Sequence, residues 1–178
     1  MRNRRFSIGV LSGDSLTLEP IQPSHWEGLY AAAADPGIWA QHPASDRYQE
    51  AVFRQYFDDA LASGLAFAVV HTASGEIIGS SRYAIGDTSD DEIEIGWTFL
   101  ARAFWGGVTN RELKHLMVHH AFECFETVVF WIGESNRRSR RAVEKLGASL
   151  RPGSQVRGGS VHVVYALSKA DWQQSGTT

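Results

Sequence analysis

Glu94-Ile95-Gly96-Trp97-Thr98-Phe99-Leu100, Trp105-Gly106-Gly107-Val108-Thr109-Asn110 and Asn136-Arg137-Arg138-Ser139, closing at Glu144-Lys145-Leu146-Gly147, are the segments whose reading decides the fold. Apolar residues alternate at Ile93, Ile95, Trp97 and Phe99, the period of a half-buried strand. Trp105-Gly106-Gly107 breaks that strand, and the period then changes. Leu113, Leu116, Met117, Ala121 and Cys124 keep helical spacing and predict a helix over residues 110–125. Residues 127–132 form a compact apolar run, the signature of a strand buried on both faces. A second helix is expected over 136–146, capped by Asn136 and closed by Gly147 at the position after its C-cap.

Upstream, residues 16–21 alternate as a first strand. Ser24 is placed to cap a helix running to Ala34, which Asp35-Pro36-Gly37 should stop. A helix over 46–62 carries Val52, Phe53, Tyr56, Phe57, Ala60 and Leu61 on one face, and Ser63-Gly64 ends it. Strands over 65–71, 76–85 and 91–100, joined by short turns, predict an antiparallel meander. Downstream, 148–151 and 160–167 read as the last strands. The order β-α-α-β-β-β-α-β-α-β-β fits an α/β (α+β) domain with a mixed central sheet of six to seven strands flanked by about four helices. No linker or repeat divides the 178 residues, so one domain over 1–178 is expected, with peripheral ends at about 1–13 and 173–178.

Composition narrows the function. Hydrophobic residues at 43% and charged residues at 21% describe a globular chain and exclude whole-chain disorder. A net charge of −3 argues against a dedicated nucleic-acid domain. One cysteine excludes an internal disulfide framework and a cysteine-rich zinc site. The basic start, Met1-Arg2-Asn3-Arg4-Arg5, lacks the apolar stretch of a secretory signal, and no run is long enough to span a membrane, so a cytoplasmic location is expected.

The Gly106-Gly107 turn delivers a strand into a helix N-terminus. There, unpaired N–H groups and the helix dipole favour an anion, and glycine lets a phosphate approach the backbone. The chain contains neither a Walker P-loop nor a dinucleotide fingerprint. Asn136 can cap its helix or turn its amide to a ligand. Arg137, Arg138, Arg140, Arg141 and Lys145 make a local basic patch, either a solvated face or a polyanion site.

Together, strand, glycine turn, helix, strand and Asn-x-x-Ser…Glu-Lys-x-Gly helix resemble the acetyl-CoA site of the GNAT superfamily of N-acetyltransferases, over residues 16–167. The ribosomal-protein N-acetyltransferase branch, the RimJ/RimL type, is the most similar. The resemblance implies acetyl-CoA as co-substrate and a primary amine as acceptor, either a protein N-terminus or a small molecule. It implies main-chain contacts to the pantetheine arm from Phe99 and Leu100, between two parallel strands that splay. Trp105, Gly106, Gly107, Val108, Thr109 and Asn110 would hold the pyrophosphate, with Arg111 and Lys114 nearby. Asn136 would meet the pantetheine amides, Ser139 would lie close to the sulfur, and Arg138, Arg141 or Lys145 would approach the adenosine phosphates.

Two departures from the family pattern stand out. With Trp105 as the first position of the family's Gln/Arg-x-x-Gly-x-Gly/Ala loop, Val108 and Asn110 occupy the two glycine positions. Val143 stands where many members carry a tyrosine that protonates the departing thiolate; the resemblance to the Asn-x-x-Ser branch implies Ser139 as the candidate for that role.

The reaction implied is direct attack of a neutral amine on the thioester, with a general base to take its proton. Glu92 and Glu94 share one strand face, and Glu94 is the first choice for that base. The backbone over 98–100 would face the developing oxyanion. His115 and His119 are four apart on a helix but lack a Glu-x-x-His context, so surface histidines and no metal are expected. Cys124 reads as core rather than nucleophile. The acidic residues in 87–92 suit either a polar turn or the attraction of a cationic amine. Trp26, Trp39, Tyr48 and Phe57 are read as core or as the acceptor wall. Arg157-Gly158-Gly159-Ser160 reads as a hairpin tip over the acceptor. The rival reading is a non-catalytic acyl-CoA-binding or interaction module. A nucleic-acid binder built on residues 137–141 is weaker, and neither nucleic acid nor membrane is an expected partner. Six tryptophans and open strand edges leave room for a homodimer.

Overall fold

The computed structural model describes residues 6–86 and 91–176. Among these residues nine strands form one sheet: β1 (Leu11–Ser12), β2 (Leu16–Pro20), β3 (Ala66–His71), β4 (Glu76–Ala84), β5 (Glu92–Leu100), β6 (Thr127–Gly133), β7 (Ser149–Leu150), β8 (Gln155–Arg157) and β9 (Ser160–Ser168). The spatial order is β1-β2-β3-β4-β5-β6-β9-β7, and β8 continues the β7 edge along β9. Every pairing is antiparallel except β5–β6, the pair joined by a helical crossover, as a parallel connection requires. The described residues place six α-helices against the sheet: α1 (Trp26–Ala33), α2 (Pro36–Trp39), α3 (Glu50–Ser63), α4 (Val108–Ala121), α5 (Arg137–Lys145) and α6 (Lys169–Ser175).

The predicted mixed sheet and layered class are present. The strand expected over 148–151 forms as the two-residue β7, and the additional strands, β1 and β8, are two and three residues long. The additional helices have local causes. Asp35-Pro36-Gly37 ends α1 but also starts α2: the Asp35 carboxylate accepts from Gly37 N at 2.8 Å and Pro36 takes the first helical position. Ser168 caps α6 in the same way, accepting from Asp171 N. Ser24 is not the cap expected of it. The chain enters a 3₁₀ turn, Pro23–His25, whose capping residue is Gln22, and α1 follows. Helix α4 begins two residues before the predicted start, so residues 108–110 are its first turn.

Two cores lie on opposite faces of the sheet. On β3, Phe67 and Val69 point to one and Ala68 to the other, as strand periodicity dictates. The first core packs Leu113, Met117 and Val118 of α4 and Val143 and Leu146 of α5 on the sheet. The second packs Leu29, Trp39, Phe53 and Phe57 of α1–α3 against Phe99. Among the described residues no helix is long and apolar enough to cross a membrane.

Candidate active site

The site grows from the one parallel pairing. Strands β5 and β6 are in register at Glu92–Thr127, Ile93–Val128 and Glu94–Val129, and no pairing follows. Beyond it β6 stays with β9 as far as Gly133–His162, while β5 stays with β4. The β5 edge over residues 96–100 therefore faces an open wedge with its backbone groups unspent on β6. A bulge sharpens the divergence. Ser80 to Arg82 on β4 spans Phe99 to Gly96 on β5, one residue more, and Trp97 takes a left-handed φ of 51°. Tyr56 holds the bulge by donating its hydroxyl to Trp97 O at 2.6 Å, and Arg82 stacks 3.9 Å over the Trp97 ring. The predicted alternation is broken here: Ile93 and Ile95 face the first core, whereas Phe99 faces the second.

The wedge opens into a cleft of about 1100 Å³. Of the residues singled out in the sequence, Glu94, Phe99, Leu100, Trp105, Gly106, Gly107, Val108, Asn110, Lys114, Asn136, Arg138, Ser139 and Arg141 line it; Thr109 does not. Gly106 has a φ of 69°, which the turn requires. Gly107 is extended at −108°, and a side chain there would meet nothing within 4 Å. The turn demands one of these glycines and leaves the second unexplained by packing.

Asn136 is 5% exposed and caps α5, its Oδ1 accepting from Ser139 N at 3.2 Å. Arg138 reaches back across the cleft, stacked 3.6 Å over the Trp105 ring and donating to Ile38 O at 3.4 Å. Lys114 does not lie at the loop mouth. It is 7% exposed and turns inward, with Nζ donating to Thr98 Oγ1 at 2.8 Å and Phe130 5.5 Å away. Burial pushes its amine down to about 7.

At the opposite end Glu94 is 5% exposed, and both its oxygens accept from Arg157 at 2.8 Å. Arg157 stands on the tight Gly158-Gly159 hairpin, whose glycines have φ of 57° and 77°, the values a type I′ turn needs. Glu92 is likewise paired, with Arg151. Residues 87–90 of the acidic run lie outside the described residues.

Two histidines at this end were not legible in the sequence. Ala44 N donates to His42 Nδ1 at 3.0 Å, and burial, with Arg47, His162 and Arg138 nearby, pushes His42 down to about 3. His42 is therefore neutral, with its proton on Nε2. His162 Nδ1 lies 2.9 Å from Ser160 O, which can only accept, so Nδ1 carries a proton and Nε2 is the ring nitrogen left to act as an acceptor. Both line the cleft. Of the other singled-out residues, Trp39 lines the cleft, Trp26 and Phe57 pack in the second core, and Cys124 packs beside the first. His115 packs against Trp172, with ring centroids 4.6 Å apart and planes tilted by 60°.

The model of the acetyltransferase (GNAT) domain matches residues 15–149. The chain belongs to the GNAT acetyltransferase family. Solved GNAT structures share its fold. A GCN5-related N-acetyltransferase from Brucella melitensis is 24% identical, with a TM-score of 0.77, over 92% of this chain and 80% of that one. Mycobacterium smegmatis RimJ, in complex with CoA-disulfide, is 15% identical, with a TM-score of 0.68, over 92% and 86%. Aminoglycoside acetyltransferase AAC(6')-Ib, in complex with coenzyme A, is 20% identical, with a TM-score of 0.70, over 92% and 100%. A comparison with curated proteins gives no match. In this GNAT chain the wedge, the N-termini of α4 and α5, and Glu94 line one cleft.

Proposed function

We propose that this chain is an acetyl-CoA-dependent N-acetyltransferase that moves an acetyl group to a primary amine by direct attack within a ternary complex. The parting of β5 from β6 beyond Glu94 and Val129 carries the reading. It opens the backbone of residues 96–100 into a cleft with cations at one end and a carboxylate and a histidine at the other.

The donor fits the cationic end. Residues 105–110 offer the first-turn N–H groups of α4 to the pyrophosphate, and the side chain missing at Gly107 leaves the backbone approachable. Arg138 and Arg141 are available to the adenosine-end phosphates. The backbone of Phe99 and Leu100 pairs with the pantetheine arm. Asn136 spends its Oδ1 on Ser139 N and keeps its amide N–H groups for a pantetheine carbonyl. Lys114 brings positive charge into the wedge, where negative charge develops on the thioester oxygen. Asn136, Ser139 and the tyrosine-lacking Val143 support a reading within the RimJ/RimL-type branch.

In the reaction the amine nitrogen bonds to the thioester carbonyl carbon as the carbon–sulfur bond breaks. Glu94 serves as base only if Arg157 releases one of its oxygens. His162 Nε2 is open without rearrangement and takes the amine proton, while Glu94 holds the approaching amine electrostatically. Ser139 supplies a proton to the departing thiolate. An α-amine, with a reference pKa of about 8, suits this chemistry better than a lysine amine at about 10.4. The test is thiol release from acetyl-CoA with a panel of amines, with mass spectrometry of the product. Amine-dependent thiol release with an acetylated product supports the reading. Donor binding without turnover for any amine would instead favour a non-catalytic acyl-CoA module.

A further inference from the structure

The acceptor end of the cleft is built around a cation. Arg47 follows α2 in the loop that roofs this end and is half-buried against two rings, 4.9 Å from the Tyr56 centroid and 5.3 Å from that of Trp39. Among the described residues no carboxylate lies within ion-pair distance of it. Asp46 and Asp59 act on it only at longer range, and both are exposed. Among the described residues Glu94 is the one carboxylate lining the cleft, and it pairs with Arg157 rather than with Arg47. His42 is neutral and adds no second positive charge beside the guanidinium.

A second, independent observation points the same way. Trp131 Nε1 is the buried side-chain donor left without a partner among the described residues. Trp131 lies two residues beyond the last β5–β6 pairing and lines the same cleft, with Arg157 stacked 4.1 Å over its ring. A buried N–H with no acceptor is costly unless a ligand satisfies it. The fork of a guanidinium is matched by a carboxylate.

We propose that the acceptor is a small amine that also carries a carboxylate, of the amino-acid class, with the carboxylate on Arg47, Trp131 Nε1–H as a further donor to the bound acceptor, and the amine toward Glu94 and His162. Trp39 and Trp97 line the same end and suit an apolar or aromatic side chain. Polyamines, which bring only positive charge, meet Arg47 unfavourably. The proposal rests on the acetyltransferase reading and deepens it.

The test uses the full chain, acetyl-CoA and three matched acceptors: phenylalanine, phenylalaninamide and phenethylamine, with spermidine as the polyamine. The expected result is a kcat/KM at least about tenfold higher for phenylalanine than for its amide or decarboxylated amine, the range of a charge-assisted hydrogen bond. Arg47→Ala should raise KM for phenylalanine about tenfold and leave the KM values for acetyl-CoA and the amide unchanged, and Arg47→Lys should recover part of the preference. Equal loss on carboxylate and amide in Arg47→Ala would make Arg47 merely structural and overturn the proposal. So would faster turnover of phenethylamine, spermidine or a peptide N-terminus, with the acetyltransferase reading left standing. Absence of thiol release with every amine would remove both.

Discussion

Lys114 Nζ donates to Thr98 Oγ1 at 2.8 Å, inside the wedge between β5 and β6, and Thr98 Oγ1 in turn lies 2.7 Å from Ser81 Oγ. A helix-borne cation is thus bound to the residue that follows the Trp97 bulge. Its other N–H groups have no carboxylate to meet among the described residues. This arrangement stabilises nothing on its own, because the ammonium is desolvated and answered only by a hydroxyl and the Phe130 ring.

Lys114→Met should therefore be more stable than the parent near pH 7 and less active. The lysine's folded pKa is lowered to about 7 from 10.5, so between those values the unfolded chain binds more protons. Parent stability then rises with pH across that window and carries the full penalty below it, on the order of 3–5 kcal/mol. Denaturant unfolding at pH 7 and pH 9 should show the slope in the parent and its loss in the variant. A variant less stable than the parent at both pH values would contradict the assignment.

Asn136→Ala removes both the α5 cap and the amide proposed for the pantetheine. The cap alone costs about 1 kcal/mol. Asn136→Asp keeps a capping oxygen and loses the amide donors. It should retain the parent melting temperature but bind CoA about tenfold more weakly. Calorimetry on the two variants separates the roles.

Glu94→Gln should lower kcat at least about tenfold, with CoA affinity within twofold of the parent, because it leaves Arg157 beside an uncharged partner at the acceptor end. His162→Gln should lower kcat by a similar factor and partly recover at pH 9, where an α-amine with a reference pKa of about 8 deprotonates unaided. Unchanged steady-state kinetics in both variants would remove these two residues from the reaction.

Glu112 ties α4 to the start of β2, accepting from Ser15 N at 2.8 Å, from Ser15 Oγ and from Leu16 N at 3.3 Å. Burial alone would raise its carboxyl, but these hydrogen bonds outweigh burial and hold it below its ordinary value. A lowered folded pKa contributes stability above the unfolded value that is lost as pH falls. Glu112→Gln should flatten the acid limb of the melting-temperature profile, and an unchanged acid limb would show that the tie carries no charge-dependent stability.

Much of the fold was readable because its signals are local. Asn136 caps α5 through the next turn, and Gly147, at a φ of 94°, follows the C-cap. The site was less readable because its determinants are distant in sequence. Ile93, Ile95, Trp97 and Phe99 read as one unbroken alternation, yet the bulge at Trp97 is fixed by Tyr56, 41 residues away. Arg157 and Glu94 are 63 residues apart, so the carboxylate's partner was invisible. Lys114 follows a helical pattern that assigns charges to the solvent face, and only the splay of β6 from β5 turns that position inward. Strand β8 carries too little apolar pattern to announce itself, and pairing with β9 creates it.

The most direct test of the account is calorimetric titration of the chain with acetyl-CoA and, separately, with CoA. Micromolar binding of both is expected, weakening on Gly107→Val, a substitution the fold accommodates because nothing lies within 4 Å of a Cβ at that position. No heat of binding at millimolar ligand, or an affinity indifferent to residue 107, would contradict the placement of the donor in the wedge.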